Sequence, residues 1–244
     1  MSNYLLIIPA RMESSRFPGK LLKKINNCEV IKYVWLRCVK AVNKNDIFIA
    51  TGDKEIIHFC QKEKINYIKT SKNCLTGSDR IIEIARNVKK DFYINVQGDE
   101  IFVEPDSIKK VIKFCRKLNN KFIINAYTDI NSYQEYKNLN VPKVVFNKFG
   151  NLMYMSRSPL PSSKKREFQK SYKQVCIYAY PRDIILKIKK NVKTAIEKIE
   201  DIEILRFVES GYPVKMVKVK GSRLSIDTPN DLKKAKKIFL HKRN

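Results

Sequence analysis

The stretch "YLLIIPARMESSRFPGK" (residues 4–20) joins a short apolar run directly to a loop rich in cations and hydroxyl groups. Residues 4–8 have the length and composition of a buried β-strand. The loop that follows carries Arg11, Arg16 and Lys20, and Gly19 lets backbone N–H groups come close to a ligand. Because α/β sheets bind ligands at the carboxyl ends of their strands, the stretch predicts an anion-binding loop after the first strand of such a sheet. A solvated basic turn is the alternative.

The loop differs from the two common nucleotide-binding motifs. The chain contains neither the G-x-x-x-x-G-K-[ST] sequence of a P-loop nor the G-x-G-x-x-G sequence of a dinucleotide site. Clustered arginine and lysine side chains nevertheless suit a polyphosphate, since both make charge-assisted hydrogen bonds to phosphate oxygens.

Beyond this stretch, short β-branched or aromatic runs alternate with segments of helical periodicity. That alternation is typical of a mostly parallel sheet covered by helices on both faces, so an α/β fold is predicted. In the first half of the chain, strands are predicted at residues 4–8, 47–51, 67–69, 92–96 and 122–127. Helices are predicted at residues 29–42 and around residues 81–88.

The pattern changes between about residues 135 and 193. Candidate strands at residues 143–147, 151–156 and 174–180 follow one another without helices, which predicts an antiparallel insert. After it we predict a helix at 197–209, strands at 214–219 and 224–226, and a last helix that Thr228 caps and Pro229 begins. No linker interrupts residues 1–244, so we expect a single domain.

Composition limits the possible partners. The formal net charge is +26, from 50 Lys and Arg against 24 Asp and Glu, which favours polyanionic partners. The lysines are spread along the chain, however, and we expect no nucleic-acid partner. No apolar run approaches the roughly 20 residues of a membrane helix. The N-terminus also lacks the layout of a signal peptide, so we expect a cytoplasmic protein with no membrane partner.

Cysteine and histidine chemistry is disfavoured. The six cysteines are scattered, without a C-x-x-C pair or a histidine at metal-ligand spacing, which argues against a zinc site or a disulfide framework. Only His58 and His241 are present. A Ser-His-Asp triad is therefore not expected.

Two acidic motifs predict a metal site. In "NVQGDE", Asp99 follows the predicted strand at 92–96, and in "LSIDTPNDL", Asp227 precedes the last helix. Carboxylates at a sheet edge can hold Mg²⁺ while the metal bridges substrate phosphates. A turn or a helix cap is the alternative for each residue, and spacing alone does not show that the two meet.

Taken together and in order, seven segments resemble the 3-deoxy-manno-octulosonate (Kdo) cytidylyltransferases, also called CMP-Kdo synthetases. The resemblance covers residues 5–235. The segments are "IIPARMESSRFPGK", "TGSDRIIEIA", "INVQGDE", "VPKVVFNKFGNLMYMSRSPLP", "IYAY", "EKIEDIEILR" and "IDTPNDL".

The resemblance implies a Rossmann-like nucleotide-diphospho-sugar transferase fold, with the insert at about 135–193 serving dimerisation and the sugar site, and a homodimer. It also implies a reaction in which CTP and an eight- or nine-carbon 3-deoxy-2-ulosonic acid give the CMP-sugar and pyrophosphate, with Mg²⁺. No histidine base is needed, in keeping with this composition.

The family's functional positions carry over residue by residue. The resemblance implies catalytic roles for Lys20, Asp99 and Asp227, with the two aspartates as Mg²⁺ ligands. The implied CTP-binding residues are Arg11, Ser14, Arg16, Lys20, Gly77, Ser78, Asp79 and Arg80. The implied sugar-site residues are Gln97, Arg157, Gln174, Tyr178, Glu203, Ile204 and Arg206.

The sugar side departs from the family pattern at two positions. Gln174 stands where the family has a sugar-contacting histidine, and Ile204 stands where it has a glutamine. Loss of a hydrogen bond to a substrate hydroxyl costs roughly 1 to 3 kcal/mol, enough to change the preferred sugar. The sequence therefore predicts Kdo or a modified Kdo-like acid, with Ile204 able to accommodate a deoxy, methylated or acylated group.

Three alternatives remain at this point. A CMP-nonulosonate synthetase of the sialic- or legionaminic-acid type shares the fold and the CTP loop, although "SRSPLP" and "IYAY" favour the Kdo branch. A basic nucleic-acid-binding protein would lose affinity steeply with salt and tolerate substitution of Asp99. An inactive relative used for assembly is the third.

Overall fold

The computed structural model describes residues 3–165, 167–222 and 224–241. Within these ranges the strands are β1 (Tyr4–Pro9), β2 (Lys24–Ile25), β3 (Cys28–Glu29), β4 (Ile47–Thr51), β5 (Tyr67–Lys69), β6 (Phe92–Val96), β7 (Ile123–Asp129), β8 (Lys143–Phe146), β9 (Leu152–Ser156), β10 (Tyr172–Pro181) and β11 (Val214–Lys218). The helices are α1 (Val30–Val39), α2 (Lys54–Lys62), α3 (Gly77–Asn87), α4 (Pro105–Lys117), α5 (Tyr133–Lys137), α6 (Arg182–Ile185), α7 (Ala195–Glu200), α8 (Leu205–Glu209) and α9 (Pro229–His241). In the described part of the chain, no helix combines the length and hydropathy that crossing a bilayer requires.

One mixed sheet organises the molecule. Its strands run in the order β11-β7-β10-β6-β1-β4-β5. The pairs β1–β4, β1–β6, β4–β5 and β7–β11 are parallel, which confirms the predicted mostly parallel α/β fold. Every residue of β1 is buried, as expected for a central strand covered on both faces.

Apolar side chains of β1 alternate between two hydrophobic clusters, one on each face of the sheet. Leu6 and Ile8 pack with α1, α2 and α4 residues in the first cluster, whereas Leu5 and Ile7 pack with α3 residues in the second. The carboxyl end of β1 is therefore held rigidly from both sides, and it carries the predicted anion loop.

The predicted antiparallel insert is joined to the main sheet. Strands β8 and β9 pair antiparallel, and β8 also pairs with the first part of β10. Strand β10 also pairs antiparallel with β7, and from Ile177 onward it pairs antiparallel with β6 as well, so this part lies between the two strands. Residues 135–193 therefore contribute an inner strand of the central sheet as well as the peripheral hairpin.

Two predicted elements were wrong. The helix expected at 197–209 is split into α7 and α8, because Asp201 adopts a left-handed conformation with φ of 49° and ends α7. Residues 224–226 form no strand. Instead, the amide of Ile226 donates to the Asp99 carbonyl at 3.1 Å, which binds this segment to the loop after β6.

Candidate active site

A cavity of about 850 Å³ opens beside the carboxyl ends of β1 and β6 and extends to the insert. Most of the residues singled out from the sequence line it. They are Arg11, Ser14, Arg16, Lys20, Gly77, Arg80, Gln97, Asp99, Arg157, Gln174, Tyr178, Glu203 and Asp227. The structure thus brings together side chains from the first loop, the α3 start, the insert and the C-terminal segment.

The two aspartates meet across the ammonium group of Lys20. Lys20 Nζ lies 2.5 Å from Asp99 Oδ2 and 3.1 Å from Asp227 Oδ1. Burial by itself would lower the pKa of Lys20, but the two carboxylates outweigh it and hold that pKa above its usual value. Lys20 therefore stays charged near neutral pH, and both carboxylates point at a single cationic position.

Backbone contacts explain why these groups meet. Lys20 begins a short 3-10 helix after Gly19, whose left-handed φ of 66° turns the chain inward. Gly98 allows the loop after β6 to approach the end of β1 closely, since a Cβ there would lie 2.9 Å from the Pro9 carbonyl oxygen. Together with the hydrogen bond from the Ile226 amide to the Asp99 carbonyl, these contacts position the segments that carry Lys20, Asp99 and Asp227.

Hydrogen bonds close the opening loop and attach it to the start of α2. The Gly19 amide donates to the Met12 carbonyl at 2.8 Å, and the Met12 amide donates to Asp53 Oδ2 at 2.9 Å. Arg16 reaches across the cavity mouth to Asp227 Oδ1 at 2.9 Å and to Asn140 Oδ1 at 3.0 Å. Arg11 donates to the Leu75 carbonyl at 3.1 Å. The loop presents three cations around one opening.

The start of α3 is held by two carboxylates. Asp79 Oδ2 accepts from Thr76 in a capping box, while Asp79 Oδ1 accepts from Arg206 at 2.7 Å and from the Asn191 amide at 2.8 Å. Burial raises the pKa of Asp79, but these hydrogen bonds outweigh that effect and leave the pKa below its usual value. Asp79 is fully buried and does not line the cavity. Its observed contacts fix the helix start.

Glu203 also caps α3. Its carboxylate accepts from the Gly77 amide at 3.2 Å, the Ser78 amide at 2.8 Å and Ser78 Oγ at 2.7 Å. Free N–H groups at a helix start attract anions, and here a side chain from the α7–α8 segment occupies them. Glu203 lines the cavity, whereas Ser78 does not.

Two predicted sugar contacts lie outside the cavity. Arg206 is 1% exposed and makes buried ion pairs with Asp79 and Glu197, both at 2.7 Å. Ile204 is fully buried in the second hydrophobic cluster. The expectation that Ile204 accommodates a substituent of the sugar therefore needs correction, because its side chain faces the core in this structure.

Gln97, Gln174 and Tyr178 form a polar wall of the cavity. Arg157 lies at its edge, where Nε donates to the Glu200 carbonyl at 2.5 Å and Nη2 to the Asp201 carbonyl at 3.0 Å, binding the insert to the end of α7. Next to Asp99, burial raises the pKa of Glu100 to about 7, and the charge of Asp99 adds to the shift.

Sequence reasoning missed several polar residues of the cavity. Asn140 and Lys173 come from the insert, and Lys234 comes from α9. Lys173 immediately precedes Gln174, the first residue of the strand predicted at 174–180, so its position offered a signal. Asn140 and Lys234 lie in segments with no distinctive pattern, and only the fold places them at the site.

The donor groups fit a hard divalent cation. Mg²⁺ is usually held by one or two carboxylates together with substrate phosphates, rather than by an all-protein cage. Asp99 and Asp227 supply two carboxylates around one cationic position, and within the described ranges no cluster of three or more acidic, cysteine or histidine side chains forms a complete metal site. The arrangement suits a metal that arrives with a phosphorylated substrate.

Comparison with known proteins agrees with this geometry. The cytidylyltransferase family model matches residues 5–223. A 3-deoxy-manno-octulosonate cytidylyltransferase from Elusimicrobium minutum is 34% identical over 245 residues, covering 98% of this chain and 99% of that protein. Another, from Geotalea uraniireducens, is 35% identical over 239 residues, covering 93% of this chain and 95% of that protein.

A solved structure shows the same fold. It is a CMP:2-keto-3-deoxy-manno-octonic acid synthetase in complex with CTP, with a TM-score of 0.90 and 29% identity over 99% of this chain and 100% of that one. The chain belongs to the 3-deoxy-manno-octulosonate cytidylyltransferase family.

Proposed function

We propose that this protein transfers CMP from CTP to the anomeric 2-hydroxyl of a 3-deoxy-2-ulosonic acid, with Kdo as the preferred acid, and releases pyrophosphate. The observation that carries the proposal is the convergence of Asp99, Asp227 and Lys20 beneath a cationic loop, in a chain of this family. In the reaction, the sugar hydroxyl oxygen forms a bond to the α-phosphorus. The bond from that phosphorus to the α,β-bridging oxygen breaks, and the hydroxyl proton passes to solvent.

The opening loop would bind the triphosphate. Arg11, Arg16 and Lys20 surround the cavity mouth, and Ser14 adds a hydroxyl in the same loop. Charge-assisted hydrogen bonds from these groups would neutralise the β- and γ-phosphates as they depart. Lys20 would exchange its aspartate partners for phosphate oxygens. The start of α3, with Gly77 and Arg80 on the cavity, would bind the nucleoside.

Asp99 and Asp227 would hold Mg²⁺. When bound there, the metal would neutralise charge on the phosphates and lower the pKa of the attacking hydroxyl. The two carboxylates already pair with the cationic groups of Lys20 and Arg16, so they face a position that suits a bound cation.

The wall of Gln97, Gln174 and Tyr178 would recognise the sugar. Amide and phenol groups both donate and accept hydrogen bonds, which suits a polyhydroxylated acid. Arg157 at the edge would meet the sugar carboxylate, since guanidinium groups pair well with carboxylates. With Ile204 in the core, Gln174 is the departure from the family pattern that lies on the cavity, and any altered preference would arise there.

We also propose a homodimer formed through the insert. Phe149 and Met153, in and beside the β8–β9 hairpin, are 67% and 58% exposed, which supports a covered face. Light scattering should give twice the chain mass, and Met153→Glu should reduce the measured mass.

We propose a cytoplasmic location and no nucleic-acid partner. Activity should accordingly be insensitive to added RNA.

The proposal is tested by measuring pyrophosphate release from each of the four nucleoside triphosphates with a panel of ulosonic acids and Mg²⁺. CTP with Kdo or a close analogue should give the highest kcat/KM. A clear preference for a sialic- or legionaminic-type acid would replace the proposed sugar class. No release with any pair would overturn the proposal.

A further inference from the structure

Strand β10 contains an irregularity beside the cavity wall formed by Gln97, Gln174 and Tyr178. Against β7, Val175 pairs with Ala126 and Tyr178 pairs with Asn125, so Cys176 and Ile177 are two extra residues on β10. Against β6 the pairing continues without a break from Ile177 to Pro181. The bulge therefore disrupts only the β7 side of the strand, and it redirects β10 where it enters the central sheet.

A single side chain repairs the disrupted pairing. Asn125 is fully buried, and its Nδ2 donates to the Val175 carbonyl at 3.2 Å and to the Ile177 carbonyl at 3.1 Å. The Val175 carbonyl immediately precedes the bulge, and the Ile177 carbonyl belongs to its second residue. Buried carbonyls without partners are strongly disfavoured, so the Asn125 amide takes the place of missing ladder bonds.

The same side chain orients Gln174. Asn125 Oδ1 accepts from Gln174 Nε2 at 3.0 Å. With its two donors and its oxygen all engaged, Asn125 has one orientation, and it leaves Gln174 with its oxygen and a second N–H for other partners. Gln174, Cys176 and Tyr178 line the cavity, whereas Asn125 does not.

We infer that Asn125 is a positioning residue for sugar selection. It holds the bulge of β10 and the amide of Gln174 in the arrangement that meets the hydroxyl groups of the acidic sugar. Because Gln174 has one N–H committed to Asn125, its free oxygen and remaining N–H define an acceptor and a donor of fixed direction. The direction of these two groups would decide which epimer is preferred at the sugar hydroxyl that contacts Gln174. This inference rests on the proposed function.

The test compares Asn125→Ala and Asn125→Ser with the wild-type protein. Asn125→Ala should raise the KM for Kdo by about tenfold or more and reduce the preference for Kdo over its epimers, while the KM for CTP changes less than about twofold. Asn125→Ser retains one donor and one acceptor, and its KM should lie between the two. Hydrogen exchange should increase in the peptide covering residues 172–181, with α3 unchanged.

A matched control separates positioning from general destabilisation. The control variant is Ile123→Ala, because Ile123 lies on the same strand, is fully buried in the second hydrophobic cluster and pairs with Val214 of β11. It should lower the melting temperature without changing the preference between epimers. If it shifts that preference as much as Asn125→Ala does, the positioning role is contradicted.

A double-mutant cycle tests the route through Gln174. In a Gln174→Met background, Asn125→Ala should raise the KM for Kdo by a clearly smaller factor than in the wild-type background, because the part of its effect that acts through Gln174 is gone. A full additional effect would overturn the inference. Absence of pyrophosphate release by the wild-type protein would instead refute the proposed function, and an active wild type with unaltered Asn125 variants would refute only this inference.

Discussion

Lys20 Nζ lies 2.5 Å from Asp99 Oδ2, at the point where the first loop of the sheet meets the loop after β6. These residues are 79 positions apart in the chain. Lys20 Nζ also lies 3.1 Å from Asp227 Oδ1, and Arg16 pairs with the same aspartate, so two cationic side chains face two carboxylates at this point.

Replacing Lys20 by methionine tests its role in CTP binding. Methionine retains most of the side-chain length but removes the charge, so the KM for CTP should rise by about tenfold or more, as expected for loss of a charge-assisted hydrogen bond. Lys24→Met is the matched control, because Lys24 is 60% exposed and pairs with Glu29. Steady-state pyrophosphate release measures both. Equal KM values for the two variants would contradict the assignment.

Glu203→Gln tests the link between the α7–α8 segment and α3, the helix proposed to bind the nucleoside. The amide accepts with one oxygen and places an NH₂ group against the N–H groups of Gly77 and Ser78. We expect a loss of about 1 to 3 kcal/mol in the free energy of unfolding, together with weaker CTP binding in calorimetry. Unchanged stability and affinity would mean that the cap seen here is dispensable.

The buried cluster of Arg206, Asp79 and Glu197 should dominate local stability. Arg206→Met leaves two carboxylates without their cation, and breaking such a buried pair costs about 3 to 5 kcal/mol. Urea unfolding measures this loss. As the control, Lys109→Met removes an ion pair with Asp106 whose side chains are 54% and 92% exposed, and it should change stability by less than about 1 kcal/mol. Similar losses of stability in Arg206→Met and Lys109→Met would contradict the claim that the buried cluster contributes more than the exposed pair.

The same cluster predicts acid sensitivity. The folded-state pKa of Asp79 lies below its usual value, because hydrogen bonds from Arg206 and Asn191 outweigh the effect of burial. Below the unfolded-state pKa of about 3.9, the unfolded chain therefore binds the proton more readily than the folded chain. The contribution of Asp79 is present above that pH and is lost as the pH falls through the lower folded value. Urea unfolding at pH values from about 3 to about 6 measures how the free energy of unfolding falls with acidity. This fall should be shallower for Asp79→Asn than for the wild-type protein. Identical slopes for the two proteins would contradict the role of Asp79.

Parts of this structure follow from the sequence, and parts depend on contacts that no local pattern records. The strands at 47–51, 67–69 and 92–96 have the predicted bounds. For the strands at 47–51 and 92–96 the reason is that buried strands leave continuous apolar runs. The break between α7 and α8 was missed, since nothing in the helical periodicity signals the left-handed conformation of Asp201.

The candidate site shows the same division. The motifs around Lys20, Asp99 and Asp227 indicate phosphate and metal chemistry by residue type, but their meeting depends on the hydrogen bond from Ile226 to the Asp99 carbonyl. The burial of Ile204 and the capping of α3 by Glu203 are likewise tertiary effects. A family motif assigns such residues to a site without showing which of them face the ligand.

The central claim is that Asp99 and Asp227 together hold the cation on which CMP transfer depends. The direct test is pyrophosphate release from CTP and Kdo by Asp99→Asn and Asp227→Asn at saturating Mg²⁺, with circular dichroism and melting temperature to confirm folding. The account predicts that each folded variant loses at least about a thousandfold in kcat, in line with removal of a group that stabilises transition-state charge. Turnover close to that of the wild-type protein in either variant would contradict it.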